Sequence, residues 1–166
     1  SSQEGGEKKK VTAISTFPVP FSLREIKEDL TINTNTSSKP SKEQIINQAF
    51  KFHSQGNILE AAKLYQYFIN QDFKDYRVFS NYGVILKNLG KLKEAALLYR
   101  KALNIKPDFV KGLYNLGIIL TDLGELEESE YLYRKAIKIK SDDAEIYCNL
   151  GSLLRDIGQL KEAELY

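Results

Sequence analysis

Four asparagines, Asn47, Asn81, Asn115 and Asn149, recur at intervals of 34 residues. A carboxamide offers both a donor and an acceptor, so evenly spaced amides can pair with the backbone of an extended peptide whatever its side chains. That is binding chemistry. Catalytic chemistry has no comparable signature. The single histidine, His53, and the single cysteine, Cys148, lie far apart, and there is no helical HExxH, no phosphate loop ending in Lys-Ser or Lys-Thr, and no pair of metal-ligating cysteines. Glu127, Glu128 and Glu130 read as a solvated acidic face. No local spacing ties a base or a cation to Cys148, which reads as a small filler, and His53 as an exposed residue near a helix end. No catalytic residue, cofactor or metal site is therefore expected within this segment.

The elements that must position the asparagines are helices. Leu113, Leu116, Leu120 and Leu123 follow one another at spacings of three and four, the mark of one helical face. Gly124 ends that helix where a left-handed residue is needed. Leu126, Ser129, Tyr133 and Ala136 then define the buried face of a second helix. Small Gly117, Ser129 and Ala136 allow the two helices to approach, and Tyr133 fills the space that remains.

A shift of 34 residues superposes Gly83, Gly117 and Gly151, then Gly56, Gly90, Gly124 and Gly158, then Tyr65, Tyr99 and Tyr133. Each unit is thus an antiparallel hairpin with more apolar surface than two helices can cover, and stacking on the next hairpin covers it. The fold class is an all-α solenoid of antiparallel helix pairs. Its copies span 42–75, 76–109, 110–143 and an incomplete 144–166, so the array occupies 41–166. Order is expected to begin at the capping box Ser41-Lys42-Glu43-Gln44, directly after Pro40.

The series Leu113, Leu116-Gly117, Gly124, Leu126, Ser129, Tyr133, Ala136 resembles the tetratricopeptide repeat. So do Phe79, Tyr82-Gly83, Gly90, Leu92, Ala95, Tyr99, Ala102 and Pro107 one period earlier, and Tyr147, Leu150-Gly151, Gly158, Leu160 and Ala163 one period later. Ser141 replaces the proline of the pattern, which is expected to loosen that turn. The first copy departs at Ala49, Phe68 and Phe73, as suits a terminal unit with one neighbour.

The resemblance implies a right-handed superhelix whose first helices line a concave groove, and it places the asparagine row at or near that groove. Around Asn115 the same helical face carries Lys111, Tyr114, Ile118 and Asp122; Arg77, Lys87 and Asn88 lie on the preceding face and Arg155 on the following one. The face is mixed in charge, with no clamp of lysines or arginines repeated at one register, as a free carboxylate or phosphate would be expected to need. The implied function is a protein-interaction scaffold holding a peptide or protein segment through amides, apolar patches and scattered charge. The asparagine row is also similar in style to the repeats of O-linked N-acetylglucosamine transferases, which implies an alternative role as the substrate-recruiting arm of a larger group-transfer enzyme. The amides can equally be committed to hydrogen bonds within the array, and burial decides between the two.

Charged residues make up 28% of the chain and apolar ones 42%, with a net charge of +2, the balance of an ordinary globular protein and too weak a field to argue for nucleic acid or an anionic membrane. Residues 76–109 are basic and 110–143 acidic, largely through Lys91, Lys93, Arg100 and Lys101 against Glu125, Glu127, Glu128 and Glu130 on the outer helices. That contrast reads as a solvated face or as a contact between molecules. Residues 1–40, rich in Ser, Thr and Lys, read as a disordered tail with a short helix at Leu23 to Leu30. The lone cysteine and the lack of an apolar leader lead to an expected cytoplasmic location. The absence of Met and an array that stops at Tyr166 lead to the expectation that the natural protein extends past both ends, with self-association through the ragged C-terminal end as one consequence.

Overall fold

The computed structural model describes residues 40–158. The expected tail, its Leu23–Leu30 helix and the second helix of the fourth copy lie outside the described residues. Seven helices follow in order: α1 (Lys42–Ser54), α2 (Ile58–Asn70), α3 (Tyr76–Asn88), α4 (Leu92–Ile105), α5 (Val110–Leu123), α6 (Leu126–Ile139) and α7 (Ala144–Asp156). Each packs on the next in the chain, giving the expected all-α solenoid of helix hairpins.

The start of α1 is the capping box anticipated at Ser41: its hydroxyl accepts from the Gln44 N–H at 3.2 Å, and its own N–H donates to Gln44 Oε1 at 2.8 Å. The hairpin turns repeat one device. At the third, Gly124 N donates to Thr121 O at 3.0 Å and Glu125 N to Leu120 O at 2.8 Å, with Gly124 at φ 78°. These two bonds satisfy carbonyls left open at the end of α5, and the left-handed backbone between them excludes a side chain at little cost only for glycine. Gly56 and Gly90 make the equivalent pairs.

Close approach within a hairpin depends on glycine for a second reason. A Cβ built on Gly83 would stand 2.8 Å from Tyr99 Cε2, and one on Gly117 would stand 2.6 Å from Tyr133 Cε1. The rings of Tyr65, Tyr99 and Tyr133 are buried, so each hairpin has an aromatic wedge under its first helix. Ser129 contributes more than small size. Its hydroxyl donates to the Gly117 carbonyl at 2.7 Å and lies 2.8 Å from Thr121 Oγ1, so the one buried serine of α6 is satisfied between the helices.

The departures in the first copy compensate one another. Phe68 and Phe73 meet as a tilted pair with centroids 5.3 Å apart, filling with two rings what later copies fill with Ala102 or Ala136 and the following turn. The turn at Ser141 differs less than expected. Lys140 has φ −135° and ψ 99°, close to the −132° and 88° of Lys106 before Pro107, and the Lys140 ammonium pairs with Asp143 at 3.0 Å.

The outer side of α1 is polar where later first helices are apolar. Val78 and Ile85 are buried, as are Gly112, Ile119, Ile146 and Leu153 at the same registers, whereas their counterparts in α1 are exposed Gln44 and Lys51. Those registers are buried only in helices that follow another hairpin.

Candidate peptide-binding groove

The asparagines sit on successive first helices, as their period requires, but in different surroundings. Asn47 is exposed on α1, while Asn81, Asn115 and Asn149 are half-buried on α3, α5 and α7. Each of these three faces a tyrosine hydroxyl. Asn81 lies against Tyr65, whose hydroxyl also meets His53 Nδ1 at 2.9 Å. Burial pushes the Tyr65 phenol up to about 12 against the pull of Asn81, and burial alone pushes His53 down. Asn115 and Ser80 flank the Tyr99 hydroxyl, which is buried and makes no well-formed hydrogen bond with the protein, and burial raises this phenol to about 12 as well. Asn149 Nδ2 donates to Tyr114 Oη at 2.8 Å. Part of each amide's capacity is thus used inside the array, and the remaining donor and acceptor sites are what a ligand could engage.

A cleft of about 520 Å³ opens between the N-terminal halves of α5 and α7. It brings together three residues anticipated from sequence, Lys111, Tyr114 and Asn115, and adds Lys140, Asp143 and Glu145 at its rim with Val110 and Ile146 as apolar walls. Tyr114 is its fixed point. Its hydroxyl donates to Glu145 Oε1 at 2.6 Å while accepting from Asn149, a relay spanning two copies. Burial, reinforced by the Glu145 carboxylate, raises the Tyr114 phenol well above its ordinary range, so it stays a neutral donor. Glu145 and the loop residues carry no signature in the periodicity of α5, because they arrive from the next copy.

The other anticipated residues are dispersed. Arg77 forms a two-pronged pair with its own helix cap, Nη2 to Asp75 Oδ2 at 2.8 Å and Nε to Oδ1 at 3.1 Å, and its guanidinium lies 5.4 Å from the centre of the Phe50 ring. Burial raises the Asp75 carboxyl, but the bonds and charge of Arg77 outweigh it and hold the group below the usual range. Lys87 is half-buried and Asn88 and Asp122 are exposed at the far ends of α3 and α5; Ile118 packs against the core. Arg155 Nη2 donates to Ser152 Oγ at 3.1 Å on α7. Among the described residues no group of three or more His, Cys, Asp or Glu is placed to hold a metal, and no helix is long and apolar enough to cross a membrane.

Stacked hairpins with a glycine turn and an aromatic wedge in each of the first three copies define a helical-repeat array. Residues 83–123 and 119–158 match the family model described as TPR repeat. Solved structures agree at the level of fold. A crystal structure of MamA superposes with a TM-score of 0.71 at 19% identity, covering 76% of this chain and 74% of MamA. Pseudomonas aeruginosa PilF gives 0.65 at 19%, covering 76% and 58%. The first TPR of Spaghetti (RPAP3), solved with the HSP90 peptide SRMEEVD, gives 0.64 at 18%, covering 70% and 92%. No curated protein sequence matches the chain. The stylistic similarity to O-linked N-acetylglucosamine transferase repeats finds no support among these relatives.

Proposed function

We propose that the array is a protein-interaction scaffold that holds a peptide or protein segment along its first helices, with the α5–α7 cleft as the principal contact. The observation that carries this reading is the cleft itself, where a neutral phenol, an amide, two ammonium groups and two carboxylates surround a half-apolar recess. Such a lining offers donors and acceptors to a backbone and small apolar walls to side chains, and it lacks the geometry of a reaction centre. A relative of the same fold with a bound peptide supports the reading. Here the lysines of the cleft share it with Asp143 and Glu145, so the segment it suits carries both charges in place of a terminal carboxylate alone.

Selection of a random peptide library on the purified chain tests the proposal. Enriched peptides should lose at least tenfold in affinity for Lys111→Ala combined with Tyr114→Phe, while the variant melts within about 1 kcal/mol of the parent because Lys111 is exposed and the phenylalanine keeps the ring of Tyr114 in place. Absence of enrichment, or affinities indifferent to this pair, overturns it.

A further inference from the structure

The outer helices carry a second pattern, one register removed from the core. On α4, Leu97, Lys101 and Ile105 fall at i, i+4 and i+8 and share the outward face; on α6, Tyr131, Lys135 and Ile139 do the same one period later. Leu97 is 54% exposed, Tyr131 61%, and Ile105 and Ile139 44% each. Single exposed apolar residues are ordinary on any surface. Here four occupy two matched registers on neighbouring helices, whereas the first copy has Lys63 and Gln71 at the corresponding places.

The two helices lie side by side, because Arg100 of α4 reaches across to Glu128 at 2.8 Å and Glu125 at 3.3 Å. That bridge sorts the charge on this face. Arg100 neutralises carboxylates at the start of α6, and Glu130 pairs with Arg134 at 2.8 Å. Lys101, Lys135 and Lys138 have no ion-pair partner among the described residues; Lys101 Nζ lies only against the Phe79 ring, 6.0 Å from its centre. Beyond Lys93 and Glu127, one turn earlier on the same two stripes, what remains is an apolar pair, a lysine pair and a second apolar pair, in that order along the helices.

We infer that this face is a second docking surface, distinct from the first-helix groove, and that it takes an acidic amphipathic helix of a partner protein. Eight residues of helix cover about 12 Å, so the matching segment carries apolar residues seven or eight positions apart with Asp or Glu midway between them. The free lysines decide the sign of the partner, and the flanking apolar pairs decide its spacing.

Fluorescence anisotropy with the full 166-residue chain tests this. The probe is a labelled synthetic helix of about twenty residues (about six residues either side of the 12 Å footprint) with leucine at every seventh position, paired glutamates midway and alanine elsewhere. Saturable binding is expected, weakened at least tenfold by Lys101→Glu with Lys135→Glu and likewise by Leu97→Ser with Tyr131→Ser. The same probe with lysine for glutamate should not bind, and Tyr114→Phe should leave affinity unchanged. All four positions are solvent-exposed or half-buried, and thermal melts of each variant verify folding; should the serine pair melt early, Leu97→Gln with Tyr131→Gln takes its place. No saturable binding, binding indifferent to both double variants, or binding to phosphatidylserine vesicles in place of the peptide overturns the inference.

Discussion

Gly117 shows how little room a hairpin leaves. A methyl group there meets the Tyr133 ring at 2.6 Å, and the ring is buried on all sides. Gly117→Ala should therefore destabilise the chain by about 1–3 kcal/mol through overpacking, read as a lower urea midpoint. The tyrosine wedges also set the alkaline limit. Tyr65 and Tyr99 ionise only near pH 12 in the fold, each against an ordinary value of 10.0. Above pH 10 the unfolded chain therefore loses protons that the folded chain retains, and stability falls as pH rises towards 12, by on the order of 2 kcal/mol for each ring. His53 works in the opposite direction: its folded value lies below 6.5, so stability is complete above that pH and declines on acidification. Melts between pH 5 and 11 resolve both limbs, with Tyr99→Phe expected to flatten the alkaline one.

At the level of helices, the repeat, the helix pairs, the capping box at Ser41 and the glycine turns were all legible in the sequence, because each depends on residues close together in one copy. What the sequence did not disclose comes from residues that meet across copies. Glu145 and Asn149 reach Tyr114 from α7, and Arg100 joins Glu125 and Glu128 at the start of the next outer helix. The asparagine row was visible as a period, but its tyrosine partners were not, since the period says nothing of where a neighbouring side chain ends. The Arg100 bridge is exposed, and its charge-assisted bonds raise the guanidinium above its ordinary value. Arg100→Ala should cost no more than about 1 kcal/mol at low salt and nothing measurable at 1 M NaCl, as paired melts at the two ionic strengths will show.

Among the described residues, neighbouring hairpins are the main long-range partners, so stability is distributed as a chain of interfaces. Amide hydrogen exchange should give slow exchange in α4 and α5, which have hairpins on both sides, and faster exchange in α1. Uniform protection along α1 to α7 would contradict that picture.

Gln44 and Lys51, set where every later first helix has a buried register, give the array a polarity that matters to anyone wishing to lengthen it. A duplicate of residues 76–109 spliced between the second and third copies meets matching faces on both sides and should raise the melting temperature. The same unit fused ahead of α1 would press the apolar face of its second helix against an amide and an ammonium group, and should hang as an undocked appendage until Gln44 and Lys51 are made apolar. The solenoid is, in effect, a modular rod with one blank connector.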